Sequence, residues 1–148
     1  MSTATYDVYP VSVETLPDDA DGQVECTIAR MMKLVSADAS SPEIRRDAQQ
    51  CLSLGRGNPL EGVHLWIRSH VSFMTDEQQA APHSQLLPSG PDHYFVEAIT
   101  RPRELSKIIA ARGQAQGDCD DFSMYCAALL SASTPRAISW GASTCPCW

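Results

Sequence analysis

Cys119 lies in the run Gly117-Asp118-Cys119-Asp120-Asp121-Phe122-Ser123, which passes directly into the apolar segment Met124-Tyr125-Cys126-Ala127-Ala128-Leu129-Leu130. A glycine, a thiol among acids and then a helix-forming stretch put one cysteine at the first turn of a helix. There, unpaired backbone N–H groups and the positive end of the helix dipole favour a thiolate. Asp118 is placed to cap this helix, and Asp121 three residues on supplies the acid of a capping box. The Cys119 N–H could then donate to the oxyanion of a tetrahedral intermediate. Against this, Asp118, Asp120 and Asp121 are like charges for a thiolate and raise its pKa. A positively charged partner, normally a histidine, is needed to settle the contest. The plain alternative is a half-buried cysteine at an ordinary capped helix start, and residue chemistry alone leaves the two readings even.

The elements that must position this thiol follow from spacing. Residues 118–133 form the cysteine helix, with Phe122, Tyr125, Cys126 and Leu129 on the face expected to be buried. Upstream, Ile28, Met31, Met32 and Val35 mark one face of a helix over Thr27 to Val35. Ser41-Pro42-Glu43 opens a second helix, carrying Ile44, Ala48, Cys51 and Leu52, which ends at Gly55-Arg56-Gly57-Asn58-Pro59. Leu60 to Phe73 reads as a third helix with Val63, Trp66, Ile67, His70 and Val71 inward. Met74 to Pro91 is a long proline-bearing loop, too long to be mere connection. His93 to Ile99 reads as a short strand or an extended approach. Arg101-Pro102-Arg103-Glu104-Leu105 starts a short helix that stops near Gly113.

Composition narrows the class. A chain of 148 residues, 43% hydrophobic and 20% charged, has enough material for one core and scarcely for two. A net charge of -7 excludes a nucleic-acid binder built on a basic stripe. No apolar run reaches the length of a membrane span, and no basic-then-apolar export signal opens the chain. The six cysteines are scattered, which predicts reduced thiols and a cytoplasmic setting. Cys119 and Cys126, seven apart on one helix, are roughly 10 Å apart by helical rise, too far for a disulfide.

Gly117-Asp118-Cys119-Asp120-Asp121 running into Ala127-Ala128-Leu129-Leu130 resembles the nucleophile helix of the transglutaminase-like superfamily, in its bacterial and phage branch. Weaker agreement runs upstream through Thr27 to Val35, Pro42 to Arg45, Trp66 to Phe73 and Glu97 to Pro102. The resemblance implies an α+β, papain-like fold whose helical N-terminal half is present. Residues 1–22 would be a flexible arm, 23–133 the domain, and 134–148 an atypical tail. It also implies that Cys119 attacks an amide or ester carbonyl to give a thioester, on a peptide or amide substrate and without a cofactor or metal. The family places a histidine and an aspartate on strands after the cysteine helix. Ser131 to Trp148 contain neither. The expectation is therefore a chain truncated or altered after that helix, impaired as an enzyme, in a host cytoplasm or associated with a virion.

All four histidines lie upstream of Cys119. His70 reads as a satisfied core histidine, and His64 and His83 stand out in no way. His93 is the candidate partner, because His93-Tyr94-Phe95-Val96-Glu97 mimics the alternating strand that bears the family's histidine. Two rivals remain. Cys145-Pro146-Cys147, joined by Cys119 or a histidine, would make a cysteine-based zinc site. Alternatively, a non-catalytic remnant or interaction module would keep the helical half and self-associate through apolar faces near Phe122, Leu129, Trp140 and Trp148. A calcium loop fails, because Phe122 falls where an oxygen ligand is required.

Overall fold

The computed structural model describes residues 12–86 and 97–134. Helix α1 spans Ala20–Asp38, α2 Pro42–Leu54 and α3 Pro59–His70, followed by strand β1, Val71–Phe73. Helix α4 (Asp76–Ala80) runs into a 3-10 turn at Ala81–Leu86, and α5 (Pro102–Arg112), β2 (Ala115–Gly117) and α6 (Cys119–Ser133) complete the order. The strands pair in parallel, Val71 opposite Ala115 and Phe73 opposite Gly117. The architecture is α+β, with helix dominant and a sheet of two strands among the described residues.

Most helix limits follow local chemistry. Asp19 caps α1 through Gly22 N at 2.7 Å, so the helix takes in residues 20–22, which the sequence assigns to the arm. Ser41 and Asn58 cap α2 and α3, each with proline at the first position. Gly113 ends α5 at φ 79°, a left-handed conformation that glycine adopts without strain. The expected third helix is shorter than its periodicity suggests: Val71, Ser72 and Phe73 leave it to form β1. Branched and aromatic side chains favour a strand, and β2 supplies partners from far downstream. Between Thr75 and Leu86 the expected loop holds α4, closed by a Thr75–Gln78 capping box, and the 3-10 turn. Glu97 to Thr100 carries no regular secondary structure, and residues 93–96 lie outside the described residues.

Helix α6 is the central element, touching α1, α2, α3, α5 and β2. Its inward face runs through Asp121, Met124, Tyr125, Ala128 and Leu129. Phe122 and Cys126, expected inward, flank that face and are only partly buried. Ile44, Cys51 and Leu105 close the core around it with no exposed surface. Helices α2 and α3 meet in backbone contact: a Cβ on Gly62 would overlap the Cys51 carbonyl. Ile28, expected on the inner face of α1, remains 50% exposed.

Two buried carboxylates fasten these helices. Asp38, at the end of α1, receives the Arg101 guanidinium and the Arg103 N–H, tying α1 to the start of α5. Asp47 on α2 accepts the Tyr125 hydroxyl at 2.7 Å and the Arg46 guanidinium. The same hydroxyl lies 3.2 Å from Trp66 Nε1 and 3.3 Å from Ser106 Oγ, so four elements converge on one oxygen. Burial pushes the Tyr125 phenol strongly upward, and it stays a neutral donor. No described helix is long and apolar enough to cross a membrane.

Candidate functional site

Strand β2 delivers the chain to α6 through Gly117 and Asp118. A Cβ on Gly117 would come within 2.7 Å of the Asp121 side chain, so only glycine lets β2 run this close to the first turn. Asp118 takes the cap position: its Oδ1 accepts from Asp120 N at 3.0 Å and from Asp121 N at 3.2 Å. Asp121 returns the bond, accepting from Asp118 N at 3.3 Å. The capping box expected from the sequence is complete.

Cys119 occupies the first helical position and is exposed, with a free thiol. It therefore presents its sulfur outward from a rigid helix. The Sγ lies 3.7 Å from Asp120 Oδ1, its sole side-chain hydrogen bond among the described residues. Loss of water contact, followed by the charges of Asp120 and Asp118, pushes the thiol above its ordinary range. The Cys119 backbone N–H acts the other way without overturning this. The contest between helix end and acids goes to the acids.

Asp121 is wholly buried beneath this turn. It accepts the Thr100 N–H at 2.7 Å, which anchors the segment leading into α5. Burial pushes its carboxyl up to about 6 even though the Thr100 and Asp118 N–H groups favour the charged form. Sequence spacing reads Asp121 only as a helix cap, whereas the structure makes it the floor of the site.

Beside the thiol, Asp76 from α4, Glu97 and Asp118 bring carboxylate oxygens within 4.8 Å of one another. Withdrawal from water, a hydrogen bond to Asp120 and the charges of Asp76, Asp120 and Asp118 push Glu97 up to about 7. Desolvation is also the main cause raising Asp76, offset in part by the Ala98 N–H donating to its Oδ1 at 3.1 Å. An all-oxygen set suits a hard cation rather than cysteine-bound zinc. Asp118 and Asp76 already spend oxygens on backbone donors. Three separate segments supply this group, so no linear motif could have announced it.

The other candidates separate. His93, Cys145 and Cys147 lie outside the described residues. His70 stacks on Trp66 at 3.9 Å between ring centroids, with Nδ1 2.9 Å from the Trp66 carbonyl, and is a satisfied structural histidine. Cys51 is buried and its thiol is pushed up to about 12, first by burial and then by the Asp47 charge. Cys126 is half-buried and raised by burial. Cys26 is disulfide-bonded, which corrects the expectation of reduced thiols throughout. No family model, no curated protein and no solved structure matches this chain.

Proposed function

We propose that Cys119 is the nucleophile of a thiol-dependent acyl transfer or amide hydrolysis, on the helical half of a papain-like, transglutaminase-like domain. What carries the reading is the mounting of the thiol. Cys119 is exposed at the first turn of the central helix, held by a complete capping box and by the buried residues behind it. In the step this permits, Sγ bonds to an amide or ester carbonyl carbon and the electron pair moves to oxygen. That oxyanion accepts from the Cys119 N–H, and the amine or alcohol then leaves with a proton. Water or a second amine resolves the thioester. The substrate class is a peptide or other amide.

Proton handling is the weak link. Asp120 is the nearest acceptor for the thiol proton, and its charge holds the thiolate population down. These carboxylate surroundings favour a second reading, a non-catalytic module retaining the same helical scaffold. One comparison separates the two. Iodoacetamide reacts with a thiolate by displacement and gains nothing from an oxyanion donor, whereas p-nitrophenyl acetate does. Rates at Cys119 are measured with both reagents, in the folded chain and in urea, with labelled peptides resolved by mass. The nucleophile reading expects folding to slow alkylation but to slow acylation at least about tenfold less, since one oxyanion donor contributes that much or more. Equal folded-to-unfolded ratios for the two reagents would establish the module instead.

A further inference from the structure

We infer that the cavity where α2, α3 and the end of α5 meet binds a small aryl-alkyl amine in its protonated form. The site does not depend on the Cys119 reading, since none of its lining residues belongs to the turn that carries the thiol. The cavity has a volume of about 360 Å³, at the low end of the roughly 300–1,000 Å³ that small-molecule sites occupy. Trp66 of α3 and Ile109 and Ala110 of α5 supply apolar surface for a ring, and Gly113, having no side chain, leaves room beside them.

The polar side of the cavity is formed by His70, Gln50 and the Arg46–Asp47 pair. The bond that fixes His70 uses only Nδ1, 2.9 Å from the Trp66 carbonyl. A carbonyl can only accept, so Nδ1 carries the hydrogen and Nε2 of the neutral ring is an acceptor. Among the described residues no hydrogen bond engages that Nε2 or the Gln50 amide. Arg46 is committed elsewhere: its Nε and Nη2 lie 2.8 and 2.7 Å from Asp47 Oδ1, and Nη2 also reaches the Ser106 carbonyl at 3.1 Å. Arg46 and Asp47 neutralise each other, so the pair offers no net charge to an anionic ligand.

The field of the helix ends decides the sign of the ligand. Helix α3 ends at His70, and α5 closes at Gly113, whose N–H takes the Ile109 carbonyl. The C-terminal turns of both helices line the cavity, and each brings the negative end of a helix dipole to it. Arg68 and Arg112, in the same turns, are not lining residues. Two negative helix ends, the His70 Nε2 lone pair and the Gln50 carbonyl oxygen favour a ligand that donates hydrogen bonds and carries positive charge. The net charge of -7 on the chain adds attraction at longer range.

The test titrates the isotope-labelled full chain with benzylamine, benzyl alcohol and benzoate, three probes of similar shape that are positive, neutral and negative near neutral pH. Binding is followed by NMR at the Trp66 indole N–H and the Gly113 amide, at constant ionic strength. Benzylamine should saturate both signals with a Kd on the order of a millimolar, as its few heavy atoms allow. It should bind at least about threefold tighter than benzyl alcohol, with benzoate weakest. Gln50→Glu, at an exposed position, should tighten benzylamine about threefold and leave benzyl alcohol unchanged. Ala110→Leu, also at an exposed position, fills the cavity and should abolish saturation by all three while the rest of the spectrum stays in place. Benzyl alcohol or benzoate binding as tightly as benzylamine, no saturation at Trp66 and Gly113, or unchanged affinity in either variant overturns the proposal.

Discussion

Replacing Tyr125 with phenylalanine removes one oxygen from the point where α2, α3, α5 and α6 meet. The hydroxyl donates to Asp47 at 2.7 Å and faces Trp66 Nε1 and Ser106 Oγ. Asp47 is 1% exposed, so no water replaces the lost donor freely, although the Arg46 guanidinium stays. A hydrogen bond to a charged group contributes roughly 1.5–3 kcal/mol, and an orphaned buried donor costs about 1 kcal/mol more. Ser106 can rotate and Trp66 is partly exposed, so Tyr125→Phe should destabilise the chain by about 3 kcal/mol. This is a large share of the 5–15 kcal/mol typical of a domain. Urea unfolding reads it as a lower midpoint at unchanged slope. Asp47→Asn, which keeps an acceptor for the phenol, should cost less alone and should couple to Tyr125→Phe by at least about 1 kcal/mol in a double-mutant cycle. A loss below about 0.5 kcal/mol, or additive single effects, would refute the claim that this oxygen fastens the helices. Because Tyr125 lies beyond the capping box, Cys119 labelling in the folded variant should match the parent chain.

Asp121 gives the chain a pH dependence of calculable sign. Its folded pKa, about 6, lies above the unfolded value of 3.8, so the folded state binds the proton more tightly. Its contribution is fully present below about pH 4 and lost as pH rises through 6, at a cost of roughly 3 kcal/mol by neutrality. Urea midpoints should fall across that window, and Asp121→Asn, which still offers an oxygen to the Thr100 N–H, should flatten the fall. An equal slope in the variant would locate the titration elsewhere. Gly62→Ala tests the backbone contact of α2 and α3. Helix propensity favours alanine by about 1 kcal/mol, yet overlap with the Cys51 carbonyl should make the net change a loss of up to about 3 kcal/mol. A thermally stabilised variant would show that the helices have room between them.

What could be read along the chain was what adjacent residues decide. Ser41-Pro42 and Asp118 with Asp121 announced helix starts, because a cap needs only its next few backbone N–H groups, while Asn58-Pro59, read as part of a break, turns out to cap α3. Gly113 announced an end for the same reason. The failures share the opposite property. Val71 to Phe73 continued a helical period but turned to strand, because Ala115 to Gly117 lie alongside. Ile28 had the spacing of a core residue yet stands half-exposed, because the face it presents borders a groove rather than a packed helix. Asp38 and Asp47 carry no local signal of their burial, since Arg101 and Tyr125 reach them from distant segments. Cys119 itself was legible, whereas Asp76 and Glu97 beside it were not. They come to Asp118 from separate segments, so no local spacing links them.

The capping box explains why mounting and activation part company at Cys119. A helix start offers a few unpaired N–H groups, and a thiolate there is stabilised only by those it can reach. Asp118 takes the donors of Asp120 and Asp121, and Asp121 takes that of Asp118. The Cys119 N–H is what remains for the sulfur, opposed by loss of water contact and then by the Asp120 and Asp118 charges. The same carboxylates that hold the first turn rigid therefore withdraw the field that would ionise its thiol. Asp118→Asn shows the consequence. The amide oxygen still caps the turn, while one charge beside the sulfur disappears. Cys119 alkylation in the folded chain should speed up several-fold at neutral pH, with stability changed by less than about 1 kcal/mol. An unaltered rate would mean that the Asp118 charge is screened from the sulfur, leaving loss of water contact and Asp120 to raise its pKa.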